Sequence, residues 1–262
     1  LEDHHIDALL VIGGYSAYEG IYTMMTERDR YPAFRIPTVC IPASIDNNLP
    51  GSELSIGTDT ALNVIVEAMD KIKESGIASR RCFVVETMGR DCGYLALMSG
   101  IAAGAERIYT NEDGISLDDL ANDVHWLREL FAHGRRLFLA VRNENASHNY
   151  TTDFIARLLE EESHGMYDVR QVVLGHMQQG GSPSPFDRLL ANRLGYRALN
   201  LIDDELAAHQ DGSWFIGVNE SGMRPCSMDT MPSLIDAAHR RPREQWWLQL
   251  RTIARMVSDE VR

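Results

Sequence analysis

Short runs of apolar residues alternate along the chain with longer segments in which apolar side chains recur every three or four positions. A continuous apolar run is typical of a buried strand, whereas the wider spacing is typical of a helix with one face in the core. The runs predict strands at residues 6–12, 38–41, 82–86, 137–141, 169–174 and 214–218. The spaced segments predict helices at residues 59–74, 93–103, 116–127, 152–165, 187–202 and 243–261. Because strands and helices alternate, we expect an α/β fold in which mostly parallel sheets are covered by helices.

Some helix ends carry signals of their own. Ser116 is followed three residues later by Asp119, which resembles a capping box. Thr152 is the candidate cap of a helix whose end is marked by Gly165. An exposed double tryptophan at residues 246–247 would form an unusual apolar patch, so we expect the last helix to pack back on the protein.

The composition limits the class of protein. With 262 residues, 44% of them hydrophobic, the chain can bury a sizeable core as one large domain or as two lobes. Its formal net charge of −13 argues against a nucleic-acid partner, because phosphate backbones favour a basic face. No run approaches the roughly 18 apolar residues of a membrane helix. The first residues lack the features of a signal peptide and do not include an initiator methionine, so we expect the chain to begin inside a larger protein.

The cysteines bear on the cellular compartment. The chain has four of them, and their positions lack the spacing of metal ligands: Cys40, Cys82, Cys92 and Cys226. Two of the four lie in apolar, strand-like runs. We therefore expect reduced, buried thiols in a cytoplasmic protein.

Residues 174–188 read LGHMQQGGSPSPFDR and connect a predicted strand to a predicted helix. A Gly-rich loop at that place exposes backbone N–H groups and a helix N-terminus, which together bind an anion. Gly175, Gly180 and Ser182 fit the P-loop pattern. Gly181 stands where the P-loop lysine belongs, so we exclude a nucleotide P-loop. A sugar or a smaller phosphate remains as the ligand, and an ordinary tight turn remains as the alternative.

The segment after the second predicted strand, residues 41–51, reads IPASIDNNLPG. It combines one carboxylate with three neutral hydrogen-bonding side chains, namely Asp46 with Ser44, Asn47 and Asn48. Such a loop at the carboxyl end of a strand is typical of a substrate site. Asp46 is a candidate general base for an alcohol, a role that accelerates a reaction about 10²–10⁴-fold. An Asx-turn stabilised by its own side chains is the alternative.

Several arginines lie next to predicted strands. Arg90 follows Gly89 at the carboxyl end of the strand at residues 82–86, whereas Arg81 and Arg170 lie at the opposite edge, from which they could reach a neighbouring subunit. Guanidinium groups bind phosphate through paired hydrogen bonds. Each charge-assisted hydrogen bond contributes about 1.5–3 kcal/mol, so three or four would hold a sugar phosphate firmly. A solvated surface charge is the alternative for each arginine taken singly.

Other residues indicate an acceptor site with little to hold a phosphate donor. Glu144 closes a predicted strand with a carboxylate suited to sugar hydroxyls. His176 is a candidate hydrogen-bond donor to a phosphate, with a structural histidine as the alternative. Gly13-Gly14 ends the first strand, but Tyr15 follows where a carboxylate would serve magnesium. Phosphoryl transfer relies on positioning and on neutralisation of charge by a metal ion.

Together these motifs resemble those of phosphofructokinases, which phosphorylate fructose 6-phosphate at its 1-hydroxyl. The resemblance runs from about Ile6 to Ser258, and it rests on the motifs IGG (12–14), PASIDNN (42–48), GTDTALN (57–63), ETMGR (86–90), NE (143–144) and residues 174–188. The tail RRPREQWWLQLR (240–251) is similar to the end of the long, duplicated eukaryotic-type enzymes. In those enzymes the C-terminal half serves regulation and binds fructose 2,6-bisphosphate.

The resemblance implies roles for individual residues. Ser44 and Asp46 match the sugar-facing hydroxyl and the catalytic base of active halves. Contacts to the sugar phosphate are implied for Met88, Gly89, Arg90, Glu144 and His176. Arg81 and Arg170 match arginines that reach across a subunit interface, which implies a homo-oligomer.

Some positions depart from the pattern of active halves. Tyr15 replaces an aspartate that supports magnesium and phosphate, and Asn48 replaces the second aspartate of its motif. Gln179 stands where active halves carry an arginine, and Arg240 matches a phosphate contact of the regulatory type. Asp46 is retained, although regulatory halves usually lack this aspartate.

Three functional hypotheses follow. The first is a regulatory half of a 6-phosphofructokinase that binds a sugar bisphosphate such as fructose 2,6-bisphosphate. The second is a fragment of a catalytic unit with Asp46 as general base, and the third is a non-catalytic module in which the arginines hold subunits together. The full enzyme would use Mg²⁺ and ATP; we expect this chain to hold neither, to bind no other metal, and to be inactive alone.

The resemblance also implies the domain organisation. We expect a two-lobed phosphofructokinase-like fold from which the opening βαβ unit is missing. The first lobe would hold residues 1–57 and 178–224, and the second, sugar-phosphate lobe would hold residues 58–177. Residues 225–262 would form a tail that packs on the first lobe, and the lobes would face a cleft that binds the phosphorylated ketose.

Overall fold

The computed structural model describes residues 1–76 and 78–257. The chain forms two compact units. Unit 1 holds Leu1–Asp59 and Pro183–Trp246, and unit 2 holds Thr60–Ser182 together with the chain from Trp247 onward. Each unit has its own four-stranded sheet and its own hydrophobic core, so the predicted α/β class is confirmed.

Strands and helices alternate along most of the chain. In chain order they are β1 (Leu9–Gly13), α1 (Tyr15–Thr26), β2 (Thr38–Pro42), α2 (Thr58–Gly76), β3 (Arg81–Thr87), α3 (Tyr94–Ala103), β4 (Arg107–Tyr109), α4 (Leu117–Ala132), β5 (Leu137–Asn143), α5 (Thr152–Glu161), β6 (Asp168–Val173), α6 (Pro185–Ala207), β7 (Ser213–Asn219), β8 (Gly222–Ser227), α7 (Met231–Leu234), β9 (Ile235–Asp236), β10 (Arg241–Pro242) and α8 (Arg251–Val257). Short 3₁₀ helices lie at Glu2–His4, Pro32–Phe34, Gly175–Gln179, Met228–Thr230 and Trp246–Leu250.

The sheet of unit 1 has the strand order β1-β2-β7-β8. The first three strands are parallel, and β8 pairs antiparallel with β7. Every residue of β2 is buried, because both of its faces are covered. Cys40 packs in the core that includes α1, whereas Val39 and Ile41 pack against α6. This two-sided burial explains why β2 is a continuous apolar run.

The sheet of unit 2 has the order β4-β5-β3-β6, and all its strands are parallel. Cys82 and Val84 of β3 pack in a core with α4 and α5. The apolar helix α3 is buried along most of its length. Since the strands are parallel, the loops after β3, β5 and β6 leave the sheet at one edge, where parallel sheets bind their ligands.

The longest helices are α2, with 19 residues, and α6, with 23. α2 buries Ile65 and Met69 on one face, as its spacing predicts, and exposes Lys71 on another. Among the residues that the structure describes, no helix combines the length and the apolar character needed to cross a membrane.

One predicted cap is confirmed and one is wrong. Ser116 Oγ accepts a hydrogen bond from the Asp119 backbone N–H, and the Asp119 carboxylate accepts one from the Ser116 N–H, which completes the capping box of α4. Thr151, and not Thr152, caps α5. The Thr152 hydroxyl instead donates to the Glu86 carboxylate, a tertiary contact that local spacing does not reveal. The same helix ends at Glu161, before the predicted end.

Several elements were not predicted, namely α1, β4, α7, β8, β9 and β10. They are short or contain many polar residues, so their hydrophobic period is weak. β1 begins at Leu9, later than predicted, because the chain before it forms a 3₁₀ helix and His5 has a positive φ of 51°.

The C-terminal tail divides at the double tryptophan. The Trp246 indole donates to the Glu53 carbonyl in unit 1, at 3.1 Å. Trp247 is buried in unit 2, with its ring edge-on to that of Tyr94 at 5.7 Å. The prediction that residues 225–262 pack together on the first lobe is therefore wrong beyond Trp246, and residues 258–262 lie outside the described part of the chain. The units divide after Asp59 and Ser182, where we predicted residues 57 and 177.

Candidate functional site

The first group of candidate residues lies where β3 and β5 end in unit 2. We call Met88, Gly89, Arg90, Glu144 and Gln178 the Glu144 cluster. Glu144 Oε1 accepts hydrogen bonds from the backbone N–H groups of Gly89, at 3.1 Å, and Arg90, at 2.7 Å. Gln178 Oε1 accepts one from the Met88 N–H, at 3.1 Å. Two side chains therefore hold three successive backbone amides of the loop after β3.

The backbone of this loop has a positive φ at two successive residues. Gly89 has a φ of +130°, and a side chain there would collide with the Cys92 carbonyl oxygen. Arg90 has a φ of +49°, although it is not a glycine. Left-handed backbone at a residue other than glycine costs about 1–3 kcal/mol and is concentrated at functional sites. The strained turn leaves the Arg90 side chain exposed to solvent, where it is available to an anion.

A buried arginine fixes the end of β5 and so positions Glu144. The Arg142 guanidinium pairs with Glu86 at 2.9 Å and donates to the carbonyls of Glu144, at 2.9 Å, and Ser147, at 2.6 Å. Burial lowers the pKa of Arg142, and the Glu86 carboxylate opposes that effect. The neighbouring Asn143 amide donates to the Met88 carbonyl at 3.4 Å. The loops after β3 and β5 are thus tied to each other.

The 3₁₀ helix Gly175–Gln179 places the remaining candidates of unit 2. Gln178 is buried and contacts Met88, whereas its neighbour Gln179 is exposed, with its amide nitrogen 3.9 Å from the Met88 sulfur. His176 is exposed on the same short helix. Gln178 was not predicted from the sequence. The one available signal was the pair of adjacent glutamines. Since neighbouring residues of a helix point in different directions, one of the pair could face the loop after β3 while the other faced solvent.

Arg81 and Arg170 are not gathered with the Glu144 cluster. Arg81 is the first residue of β3, and Arg170 lies opposite Phe83 in the register of β3 and β6. Met88 follows the last residue of β3, so Arg81 lies roughly 23 Å away along the strand. The contribution of these two arginines to a neighbouring subunit stays a prediction.

The loop after β2 in unit 1 is held together by its own polar side chains. Ser44 Oγ accepts from the Asp46 backbone N–H at 3.2 Å and donates to the Asn48 amide oxygen at 3.4 Å. Asn47 has a φ of +52°, and its amide donates to the Glu53 carbonyl at 2.7 Å. These contacts are the ones expected if the segment is a turn stabilised by its own side chains. Asp46, which is half-buried at the carboxyl end of β2, remains the candidate base.

Three residues that depart from the pattern of active halves meet in unit 1, and we call Tyr15, Asn48 and Arg240 the Tyr15 cluster. The Asn48 amide donates to the Arg240 carbonyl at 3.0 Å. The Arg240 guanidinium carbon lies 5.7 Å from the centre of the Tyr15 ring, within the range of a cation–π contact. Arg240 itself has a φ of +50°. Sequence spacing did not reveal these contacts, because Arg240 is far from the other two residues along the chain.

The Tyr15 cluster does not fit a magnesium ion. Mg²⁺ prefers carboxylate and phosphate oxygens. Burial raises the pKa of Tyr15, so its phenol stays protonated, and the nearby positive charge of Arg240 repels a cation. Residues 1–76 and 78–257 include no group of three or more His, Cys, Asp or Glu side chains that could hold a metal ion. The charged group within the cluster is the Arg240 guanidinium, and the Glu19 and Asp236 carboxylates also act on the Tyr15 phenol.

The anion site predicted in residues 174–188 stays a prediction, but this segment joins two units. β6 belongs to unit 2, whereas α6 lies in unit 1, so the segment is not a strand–loop–helix turn of one sheet. At the first turn of α6, Ser184 Oγ accepts a hydrogen bond from the Asp187 N–H at 3.2 Å. The Asp187 carboxylate accepts from the Gly57 N–H at 2.8 Å. A carboxylate in the first turn of a helix interacts favourably with the helix dipole, as a bound anion would.

The chain is similar to known proteins along nearly its full length. A family model described as Phosphofructokinase matches residues 1–202. The platelet-type ATP-dependent 6-phosphofructokinase of Rattus norvegicus is 42% identical over 268 residues, which cover 98% of this chain and 34% of that protein. The muscle-type enzyme of Homo sapiens is 42% identical over 265 residues, with coverages of 97% and 34%. The chain therefore spans about a third of the length of these curated relatives.

Solved structures show the same similarity. The phosphofructokinase of Saccharomyces cerevisiae matches with a TM-score of 0.95 and 34% identity, over 99% of this chain and 36% of that chain. The Pichia pastoris phosphofructokinase in the T-state matches with a TM-score of 0.92, over 98% of this chain and 31% of that chain, also at 34% identity. A pyrophosphate-dependent phosphofructokinase from Marinobacter aquaeolei, at 17% identity and a TM-score of 0.71, shows a shared fold alone.

Proposed function

The chain belongs to the phosphofructokinase family, and from that premise we propose that it is the half of a 6-phosphofructokinase that binds a sugar bisphosphate effector such as fructose 2,6-bisphosphate. The full-length protein would phosphorylate fructose 6-phosphate to fructose 1,6-bisphosphate in the cytoplasm, with Mg²⁺ and ATP as in an ATP-dependent enzyme. This chain would hold neither of them.

The observation that carries this proposal is the Tyr15 cluster. Where the family's active halves use an aspartate to support magnesium, Tyr15 supplies a protonated phenol, and a guanidinium lies over its ring. Asn48 replaces the second carboxylate and holds the Arg240 backbone. A place suited to a cation has become one suited to a phosphate, which a guanidinium binds through paired, charge-assisted hydrogen bonds.

The Glu144 cluster supports a sugar phosphate as the ligand class. The exposed Arg90 side chain can bind a phosphate, and the Glu144 carboxylate can accept hydrogen bonds from sugar hydroxyls. Because Glu144 already accepts from two backbone amides, its position is set before a ligand arrives. A preset acceptor reduces the entropy that binding costs. Ser44, His176 and Gln179 complete the set of proposed sugar-phosphate contacts.

Titration calorimetry of the 262-residue chain with fructose 2,6-bisphosphate tests the proposal. We expect micromolar-class binding, and no ATP turnover by the chain alone. Arg240→Ala should weaken binding about 10- to 100-fold, because a charge-assisted hydrogen bond contributes about 1.5–3 kcal/mol. The matched control is Arg30→Ala, which removes an exposed arginine of the same unit and should leave the affinity unchanged. A folded wild-type chain that releases no heat with this ligand would reject the proposal.

The catalytic alternative rests on Asp46, the retained aspartate at the carboxyl end of β2. As a general base it would take the proton from the sugar's 1-hydroxyl. In the full-length protein, Asp46→Ala would then lower turnover about 10²–10⁴-fold. Unchanged turnover in that variant, together with an intact response to fructose 2,6-bisphosphate, would assign catalysis elsewhere and retain the effector role for this half.

We also propose that the full-length protein is a homo-oligomer in which Arg81 and Arg170 reach a neighbouring subunit. If these arginines contribute to the ligand site, Arg81→Ala and Arg170→Ala lower the affinity for the sugar phosphate. If they only hold subunits together, as in a pure interaction module, the two changes alter oligomer size without changing that affinity.

A further inference from the structure

The helix α6 of unit 1 has apolar residues on two opposite faces. One face packs on the sheet and buries Leu190, Leu194 and Ala198. The other face leaves large apolar side chains in solvent, with exposed fractions of 64% for Leu189, 72% for Tyr196, 55% for Leu199 and 38% for Leu206. Scattered single apolar residues on a surface need no explanation, but a row of them along one helix indicates an interaction surface.

The exposed apolar residues follow a heptad pattern. Positions spaced alternately by three and four residues form a stripe along a helix, which packs against a matching stripe of another helix. We call this stripe the α6 seam; it consists of Leu189, Asn192, Tyr196, Leu199, Asp203 and Leu206. The seam spans 18 of the 23 residues of α6, or roughly 26 Å at 1.5 Å per residue.

The order of residues in the α6 seam suits a second copy of itself in the antiparallel orientation. Its spacing reads three, four, three, four, three in either direction. Reversal places Leu189 opposite Leu206 and Tyr196 opposite Leu199. About a two-fold axis each of these pairs occurs twice, so every apolar residue of the seam meets another apolar residue. We propose that α6 is a self-association surface, at which two copies of this chain pack their α6 helices antiparallel about a two-fold axis.

The two polar positions of the seam favour the same orientation. In the antiparallel pair Asn192 faces Asp203, and the amide can donate a hydrogen bond to the carboxylate. In a parallel pair Asp203 would face Asp203, and two carboxylates would repel each other in a partly buried contact. A polar pair of this kind specifies register and orientation in helix pairs.

The charges beside the seam are also complementary. Arg188 and Arg193 lie in the first half of α6, whereas Asp204 lies in the second half. Antiparallel packing brings the basic half of each helix to the acidic half of the other, and parallel packing would bring like charges together. The chain as a whole is strongly acidic, at −13, so this local arrangement opposes the general repulsion between two copies.

Sedimentation of the 262-residue chain over a range of concentrations tests the proposal. A single helix pair buries less than the roughly 800 Å² per partner of a standard interface, so we expect a reversible dimer in the micromolar class. Leu199→Glu should weaken dimerisation at least tenfold. The matched control is Leu117→Glu, which changes a leucine of similar exposure (61%) on α4 and should leave dimerisation unchanged. Circular dichroism of both variants verifies that they are folded.

Disulfide cross-linking tests the orientation. In a Cys226→Ser background, a Leu189→Cys chain mixed with a Leu206→Cys chain should form a covalent dimer rapidly, because the two positions face each other within the reach of a disulfide. Either chain alone should cross-link slowly. Rapid cross-linking of Leu189→Cys with itself would overturn the antiparallel arrangement. A wild-type chain that stays monomeric at hundreds of micromolar would overturn the proposal and assign the seam to a different partner.

Discussion

Asn48 illustrates how one side chain changes the chemistry of a site. An aspartate at this position would add a negative charge at the carboxyl end of β2, whereas the amide of Asn48 is neutral and donates to the Arg240 carbonyl. That donation helps to hold Arg240 in a left-handed backbone conformation, with its guanidinium beside the Tyr15 ring. The exchange of a carboxylate for an amide thus removes a negative charge that would repel a phosphate. It also holds the Arg240 guanidinium in place.

The cysteines give a first prediction at the residue scale. Burial raises the pKa of Cys40 to about 12 and raises that of Cys82 further, so neither thiol ionises near neutral pH. Cys92 is also buried, whereas Cys226 is only partly buried, which corrects the expectation that all four are buried. A thiol reagent should therefore modify about one thiol in the native chain and all four after unfolding.

The control for this prediction is Cys226→Ser, which should make the native chain unreactive. Rapid modification of two or more thiols in the folded wild-type chain would contradict the burial of Cys40, Cys82 and Cys92.

At the scale of elements, the capping box of α4 links local sequence to pH-dependent stability. The Ser116 hydroxyl and backbone N–H donate to the Asp119 carboxylate and lower its pKa in the folded chain. A group with a lowered folded pKa adds stability above its unfolded pKa, about 3.9 for aspartate, and that stability is lost as the pH falls through the folded value. Asp119→Asn should therefore lower the Tm at neutral pH, and the Tm difference should shrink below about pH 4.

The neighbouring change Asp118→Asn is the matched control, because it removes an equal charge from the same helical turn. Its Tm difference should depend less on pH. A constant Tm difference between wild type and Asp119→Asn from neutral to acidic pH would contradict the capping role of this carboxylate.

The tail yields a second prediction at this scale. Trp247 is 2% exposed and packs on Tyr94 of α3, whereas Trp246 is 37% exposed. Trp247→Ala should lower the free energy of unfolding by about 3–5 kcal/mol, because it removes a large buried side chain and leaves a cavity. Trp246→Ala should cost clearly less. Denaturant titrations of the two neighbouring variants provide the comparison, and equal losses would contradict the assignment of the two rings to different environments.

At the scale of the whole molecule, the chain has a formal net charge of −13, so a bisphosphate must bind where arginines lie close together. A bisphosphate that binds the folded state but not the unfolded state stabilises the fold. The gain is about 2.7 kcal/mol at a ligand concentration 100 times its Kd. For a chain of this size that gain should raise the Tm by roughly 5–10 °C. Differential scanning calorimetry with fructose 2,6-bisphosphate measures this shift, and Arg240→Ala should reduce it. An equal rise in Tm in that variant would show that the ligand does not bind at the Tyr15 cluster.

The sequence by itself determined the α/β class, most of the long elements and the capping box of α4. Each of these follows from interactions between residues close in the chain, which hydrophobic period and local hydrogen bonds report. The resemblance to phosphofructokinases grouped Met88, Gly89, Arg90 and Glu144 with His176 as sugar-phosphate contacts, and the parallel pairing of β3 with β5 places the first four of them at one edge of the sheet.

Only the tertiary structure decided which distant residues meet. It placed Arg240 against Tyr15 and Asn48, turned the Thr152 hydroxyl to Glu86, and separated β6 from α6 into different units. Contacts of this kind join residues far apart in the chain, and no periodicity encodes them. The packing of the sheet and the burial of each helix face fix them instead.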